Sequence, residues 1–206
     1  MSNDEFDLKK VVKSRLSVRS RFNEIARHNK IDNQNANLDS DKYLSDLLQV
    51  LKIKSIVVGI GGAGNNTVSR MQEFQTDCVE TLNINTDAHD LYYSNATKKI
   101  LIGKEICNGL GSGNDPEIGE SAAEEDVERL AEALNADVIF LTYGLGGGTG
   151  TGAAPIIARE AKKNNATVVT FCSIPFSSEG SERRSRAQRG LKELVKNTDH
   201  AYNCSE

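Results

Sequence analysis

The chain has 206 residues, 38% of them hydrophobic and 26% charged, with a net charge of -4, a balance that excludes a collagenous or wholly disordered protein. The acidic balance argues against nucleic acid as a partner. No apolar run approaches the roughly 18 residues of a membrane span, and the opening MSNDEFDLKK has no signal-peptide core, so the expected location is cytoplasmic.

Residues 1–40 contain neither glycine nor proline, and 31–40 turn to Asp and Asn, the composition of a solvated linker. Before it, Leu8, Val11, Val12, Leu16, Phe22, Ile25 and Ala26 recur at mostly three- and four-residue steps, and residues 1–30 carry eight Lys or Arg against four Asp or Glu. Such a basic amphipathic segment suits an anionic membrane, a partner helix, or a partly helical solubilising arm. A domain is expected over 41–199, opening with a short helix at 41–51.

From there strands and helices alternate. Strands are predicted at Ile53–Gly59, Cys78–Asn85, Ile100–Ile102, Ala136–Thr142 and Thr167–Cys172, and helices at Ala63–Glu73, Glu117–Leu134 and Thr149–Asn164. This order predicts an α/β fold, a Rossmann-like parallel sheet with helices on both faces. In the Glu117–Leu134 segment the glutamates fall opposite an apolar stripe, as a solvated face would. Cys78, Cys107, Cys172 and Cys204, and His28, His89 and His200, show no metal-ligand or disulfide spacing, so reduced thiols and no metal centre built from these side chains are expected.

Two glycine loops follow predicted strands. Gly59, Gly61 and Gly64 satisfy GxGxxG, with Asp87 at a suitable distance for a ribose-binding acid, which taken alone fits a dinucleotide site. The loop from Gly144 to Gly152 has six glycines in nine residues, more than a turn needs, and reads as a nest of backbone N–H groups around an anion, with Thr149 and Thr151 adding hydroxyls. GxxxxGK[ST] occurs in neither loop, which excludes a P-loop with its lysine.

GIGGAGNN, NTDA at Asn85–Ala88, GLGSGNDP at Gly109–Pro116, GLGGGTGTG and PFSSEGSER from Pro175 to Arg183 stand in the order and spacing of the nucleotide-contacting loops of FtsZ. Over about 41–200 the chain resembles this tubulin-superfamily family of filament-forming cell-division GTPases, and it is archaeal in character. The resemblance implies GTP or GDP bound by Gly61, Gly62, Ala63, Gly64, Asn65, Asn66, Asp87, Gly111, Gly147, Gly148, Thr149, Gly150 and Thr151, with Glu179 and Arg183 reaching ribose and base. It implies Mg2+ carried by the phosphates, and FtsZ-type subunits as head-to-tail partners at the division site. The tail 200–206 reads as aberrant, without the apolar pattern of the family's next strand. The family's acidic NxDxxD loop, which polarises the attacking water, is expected to be absent along with the second domain, leaving no catalytic residue here and contact with FtsZ subunits through one face only. The alternatives are a nicotinamide-dependent oxidoreductase built on GxGxxG, which has no use for the second loop, and a non-catalytic protein that caps or regulates FtsZ filaments.

Overall fold

The computed structural model describes residues 53–74 and 79–204. The expected N-terminal arm, its linker, the 41–51 helix and Cys78 lie outside the described residues. Strand β1 (Ser55–Ile60) runs into α1 (Gly61–Glu73), followed by β2 (Glu80–Asn85), α2 (Ala88–Tyr93), β3 (Lys98–Leu101) and α3 (Lys104–Cys107). The second half comprises α4 (Pro116–Glu125), α5 (Val127–Ala133), β4 (Val138–Gly144), α6 (Thr149–Lys163), β5 (Thr167–Ser173), a 3-10 turn (Ser177–Glu179), α7 (Ser181–Asn197) and β6 (His200–Cys204).

All six strands are parallel, in the order β3-β2-β1-β4-β5-β6. From β1 the chain steps to one side and from β4 to the other, so right-handed crossovers place α1 on one face and α6 on the opposite face. The reversal between β1 and β4 opens a crevice at their carboxyl ends, the place where doubly wound sheets bind ligands.

Register builds the core. Ile56, Val58 and Ile60 of β1 pair with Ile139, Leu141 and Tyr143 of β4, which in turn pair with Val168, Thr170 and Cys172 of β5. These side chains are buried, as are Ala153, Ala154, Ile157, Ala158 and Ala161 of α6. The small α6 side chains admit close packing, and where Gly152 sits an added Cβ would run into the carbonyl of Pro116 and come within 2.7 Å of Glu120 N. Glu160, also buried, is held ionised: burial alone would raise its pKa, but Lys163 Nζ at 2.8 Å and Arg159 Nε at 2.9 Å reverse that and lower it.

Two expectations are corrected. The helix expected over Glu117–Leu134 breaks at Asp126, because the Asp126 carboxylate accepts from Gly103 N at 2.9 Å and pairs with Arg129 at 3.1 Å. This tertiary bond turns the chain, and no apolar period records it. Its glutamates are exposed as expected, and at that surface Glu124 pairs with Arg159 while Glu125 accepts from Glu105 N and Ile106 N. Second, residues 200–204 of the tail form strand β6, with Val169 opposite His200 and Phe171 opposite Tyr202. An edge strand needs only a neighbour's backbone, so a polar sequence suffices. On this side of the sheet Phe171 and Tyr202 are 41% and 52% exposed and their rings stack at 5.3 Å.

Tyr143, at the carboxyl end of β4, has a buried hydroxyl without a hydrogen-bond partner. Burial, and then the neighbouring Cys172, push its pKa upward. A phenol raised in the folded state contributes its full stability below about pH 10 and loses it as pH rises further. Tyr143→Phe is therefore expected to flatten the alkaline loss of stability, measured as urea midpoints at neutral and alkaline pH. Equal losses in the two proteins would place the sensitivity elsewhere.

Candidate functional site

The carboxyl ends of β1, β2 and β4 surround a cavity of about 330 Å³. Four segments line it: Ile60 to Ala63 after β1; Asn85 to Asp87 with Asp90 after β2; Leu110 to Asn114; and Gly144 with Gly147 to Gly150 after β4. Arg183 of α7 closes one side.

The β1 turn exists because its glycines allow close approach. Gly61 has a φ of 67°, a conformation that costs other residues, and a Cβ there would lie 3.1 Å from Gly150 N, so the two glycine loops touch. Gly59 and Gly64 have a different duty. A Cβ on Gly59 would come within 2.6 Å of Gly64 O, and one on Gly64 would run into the Thr142 carbonyl, so this pair lets α1 lie directly on the sheet. Asn65 is 1% exposed. With Nδ2 turned toward the backbone it donates to Gly59 O at 3.0 Å and Gly61 O at 3.3 Å, while Oδ1 accepts from Asn85 Nδ2 at 3.0 Å. It braces the turn from beneath, and Asn66 points to solvent.

Helices α1 and α6 both begin at the cavity. Neither has a side-chain cap or an acidic residue in its first turn. By contrast α2 is capped by Asp87, which accepts from Asp90 N at 3.0 Å, and α4 by Asp115, which accepts from Glu117 N at 2.9 Å. The first backbone N–H groups of a helix have no internal partner, and the macrodipole adds about half a positive charge to each N-terminus. Two uncapped N-termini at one cavity provide donors and positive potential for an anion.

Beneath them lies a cluster of hydroxyls. Thr149 Oγ1 is 2.7 Å from Thr86 Oγ1 and 3.1 Å from Ser112 Oγ, and all three residues are buried. The 109–111 strip is strapped to the β2 loop through Ala88 N to Gly109 O at 2.9 Å and Gly111 N to Thr86 O at 3.2 Å. Thr151 does not reach the cavity wall; its hydroxyl accepts from Gly146 N at 2.8 Å and so fixes the second loop. Glu179 also stays off the wall, pairing with Arg183 at 2.9 Å and accepting from Phe176 N at 2.8 Å.

Of the residues expected from sequence, Gly61, Gly62, Ala63, Asp87, Gly111, Gly147, Gly148, Thr149, Gly150 and Arg183 thus share one cavity. Gly64, Asn65, Asn66, Thr151 and Glu179 stand behind or beside it. Sequence reasoning missed Asp90 altogether, although a signal was present: Asn85-Thr86-Asp87-Ala88-His89-Asp90 spells N-x-D-x-x-D letter for letter. It lies on the chain's own cavity, after β2.

Known proteins share this fold and much of this sequence. Residues 54–203 match the model of the Tubulin/FtsZ family, GTPase domain. The chain is 44% identical over 183 residues to cell division protein FtsZ of Methanothermobacter thermautotrophicus, covering 88% of this chain and 48% of the relative. Among solved structures, the empty FtsZ dimer of M. jannaschii superposes with a TM-score of 0.74 at 46% identity, covering 80% of this chain and 48% of the other. A GTPγS-bound protofilament of CetZ2 from Haloferax volcanii gives 0.68 at 30% identity, covering 73% and 48%. The chain spans about half the length of these proteins.

The adjacent glycines of the second loop make different contacts. A Cβ on Gly148 would strike Ser112 Oγ and lie 2.8 Å from Asp115 N and O, whereas one on Gly147 would meet nothing within 4 Å. Gly148→Ala is expected to lower stability by about 1–3 kcal/mol through overpacking, and Gly147→Ala by less than about 1 kcal/mol, both read from urea denaturation. Equal costs would mean that Ser112 and Asp115 give way freely.

Proposed function

The chain belongs to the Tubulin/FtsZ family, and on that premise we propose that it is the GTP-binding part of a filament-forming cell-division protein of the FtsZ type. The observation that carries this reading is the convergence of two uncapped helix N-termini on one glycine-walled cavity. Phosphate oxygens would accept from the backbone N–H groups of the Gly61–Ala63 and Gly147–Gly150 segments, with the Thr149 hydroxyl held between Thr86 and Ser112 as a further donor. Gly111 and Asp87 border the same space. Arg183, on the α7 side, would meet the ribose or base, with Glu179 fixing its guanidinium. Gly64, Asn65 and Thr151 act one layer back, by holding the loops in shape, while Asn66, exposed on α1, is assigned to the nucleotide through the likeness to FtsZ alone. The preference for guanine rests on kinship with FtsZ.

Magnesium fits the donor set, since the Asp87 and Asp90 carboxylates and the Thr149 hydroxyl offer the hard oxygens that it prefers. When bound, the ion neutralises phosphate charge. Water activation is assigned to the acidic loop of a neighbouring FtsZ-type subunit, reached head-to-tail at the cavity face, in the cytoplasm at the division site. The basic N-terminal segment is proposed as a membrane or protein contact.

Isothermal titration with magnesium at neutral pH is expected to give one site for GTP or GDP, with ATP at least about tenfold weaker, roughly 1.4 kcal/mol, and no NAD binding. Thr149→Val should weaken GTP binding by about 1–3 kcal/mol through loss of a hydrogen bond to a charged group. Binding of NAD or ATP without GTP would defeat the assignment.

The 206-residue chain alone is expected to release phosphate slowly. Added to a full-length FtsZ, it should shorten filaments by accepting a subunit at one face only, as seen by light scattering. Cooperative, concentration-dependent hydrolysis by the chain alone would overturn the division of labour between subunits.

A further inference from the structure

We propose that Arg186 is a positioning residue for the nucleotide, acting from outside the candidate cavity: it holds the Gly113–Asn114 partition in place and, through it, the Ser112 hydroxyl. The inference rests on the nucleotide reading above and adds a residue of α7 to that site.

The segment from Leu110 to Asn114 walls the candidate cavity, and Gly113 and Asn114 also border a second, larger space of about 820 Å³ between α4, α6 and α7. Here the wall is a single layer of chain with open space on both sides. Gly113 and Asn114 have φ of 60° and 63°, and Asp115 N donates to Ser112 O at 2.9 Å, the positive-φ pattern of a type I′ turn. Glycine and asparagine tolerate it best. Both central residues are exposed, so core packing does not fix them.

What holds them is a side chain from α7. Arg186 Nη1 donates to Asn114 O at 2.9 Å, and among the described residues this is the one hydrogen bond made to either Gly113 or Asn114. The arginine has few other uses. Glu182, 86% exposed, stands 3.6 Å away, an exposure at which an ion pair contributes little, and Arg186 Nε is buried without a partner. A guanidinium donating to a carbonyl makes a charge-assisted bond, stronger than a neutral one. The helix that carries it is firmly seated: at Gly190, one turn further on, an added Cβ would run into Thr151 Cγ2, so α7 lies directly on α6. The turn carries the constraint inward. Ser112 opens that turn, and its hydroxyl stands 3.1 Å from Thr149 Oγ1 on the cavity side. Arg186 itself does not line the cavity, so its effect on a ligand there has to pass through the loop.

The test measures GTP affinity by isothermal titration in magnesium for the unmodified chain, Arg186→Met, Arg186→Lys, Ser112→Ala, the double variant Arg186→Met with Ser112→Ala, and Arg189→Met. Methionine keeps an apolar stem and removes the donors. Arg186→Met should weaken GTP binding about fivefold to twentyfold, and Arg186→Lys, which returns a cationic donor, should recover to within about threefold of the unmodified chain. Ser112→Ala should weaken it about threefold to tenfold. Because both residues act through one turn, the double variant should be at most about twofold weaker than the weaker single variant, whereas independent losses would multiply. Arg189→Met removes the same charge from the next turn of α7, without a bond to the loop, and should stay within about twofold. Titrations run at least about 15 °C below the lowest thermal midpoint of the set, so that affinity is read on folded protein.

Unchanged GTP affinity in Arg186→Met overturns the proposal, as do multiplying losses in the double variant or a lysine no better than methionine. An equal loss in Arg189→Met overturns it too, since charge alone would then account for the effect. Absence of GTP binding by the unmodified chain overturns the nucleotide reading itself, and the proposal falls with it. The two failures are told apart by the unmodified chain, which binds GTP in the first case and not in the second.

Discussion

Two helices enter the central crevice of the sheet with their first backbone N–H groups unclaimed by any side chain, and the surrounding structure is organised around that. An uncapped N-terminus loses roughly 0.5–2 kcal/mol relative to one capped by Ser, Thr, Asp or Asn. The sequence has capping residues elsewhere, since Asp87 and Asp115 serve α2 and α4. Their lack on α1 and α6 is offset once an anion supplies the acceptors. For both N-termini to face one ligand, the loops before them must touch, and Gly61 against Gly150 is that contact. The closeness continues away from the cavity. A Cβ on Gly119 would lie 2.6 Å from Gly148 O, so α4 seats the second loop from behind.

The side chains assist this backbone site in two ways. Asn65 and Thr151 spend their polar groups on loop backbone, satisfying carbonyls or amides that would otherwise be buried without partners. Thr86, Ser112 and Thr149 pool three hydroxyls from three separate segments, so a movement of any one loop is felt by the other two.

Much of this was legible beforehand, and for a clear reason. Runs such as Ser55–Ile60 and Val138–Gly144 are buried parallel strands, whose β-branched content announces itself, and glycine clusters after strands mark loops that must approach something closely. What escaped depends on contacts across the fold. Asp126 breaks a helix because Gly103 happens to stand opposite, and the polar stretch His200–Cys204 becomes a strand because β5 offers it a free edge. The division of the site into wall and brace was equally hidden. Gly64 and Thr151 sit in the right motifs, yet one packs under Thr142 and the other bonds to Gly146. Asp90 follows the NTDA string by two residues, and only the first turn of α2 brings it back to the cavity.

The stacked pair Phe171 and Tyr202 lies on a part of the sheet where both rings are open to solvent. Flat, paired aromatic surface on folded protein is what environment-sensitive fluorophores adsorb to. A dye-based melting assay on this chain is therefore expected to start from a raised native-state signal, which would make its change on unfolding smaller. With no tryptophan in the sequence, intrinsic emission comes from tyrosine, and Tyr202 sits in that same patch. Calorimetry, which needs no optical reporter, is the sounder thermal ruler for this protein.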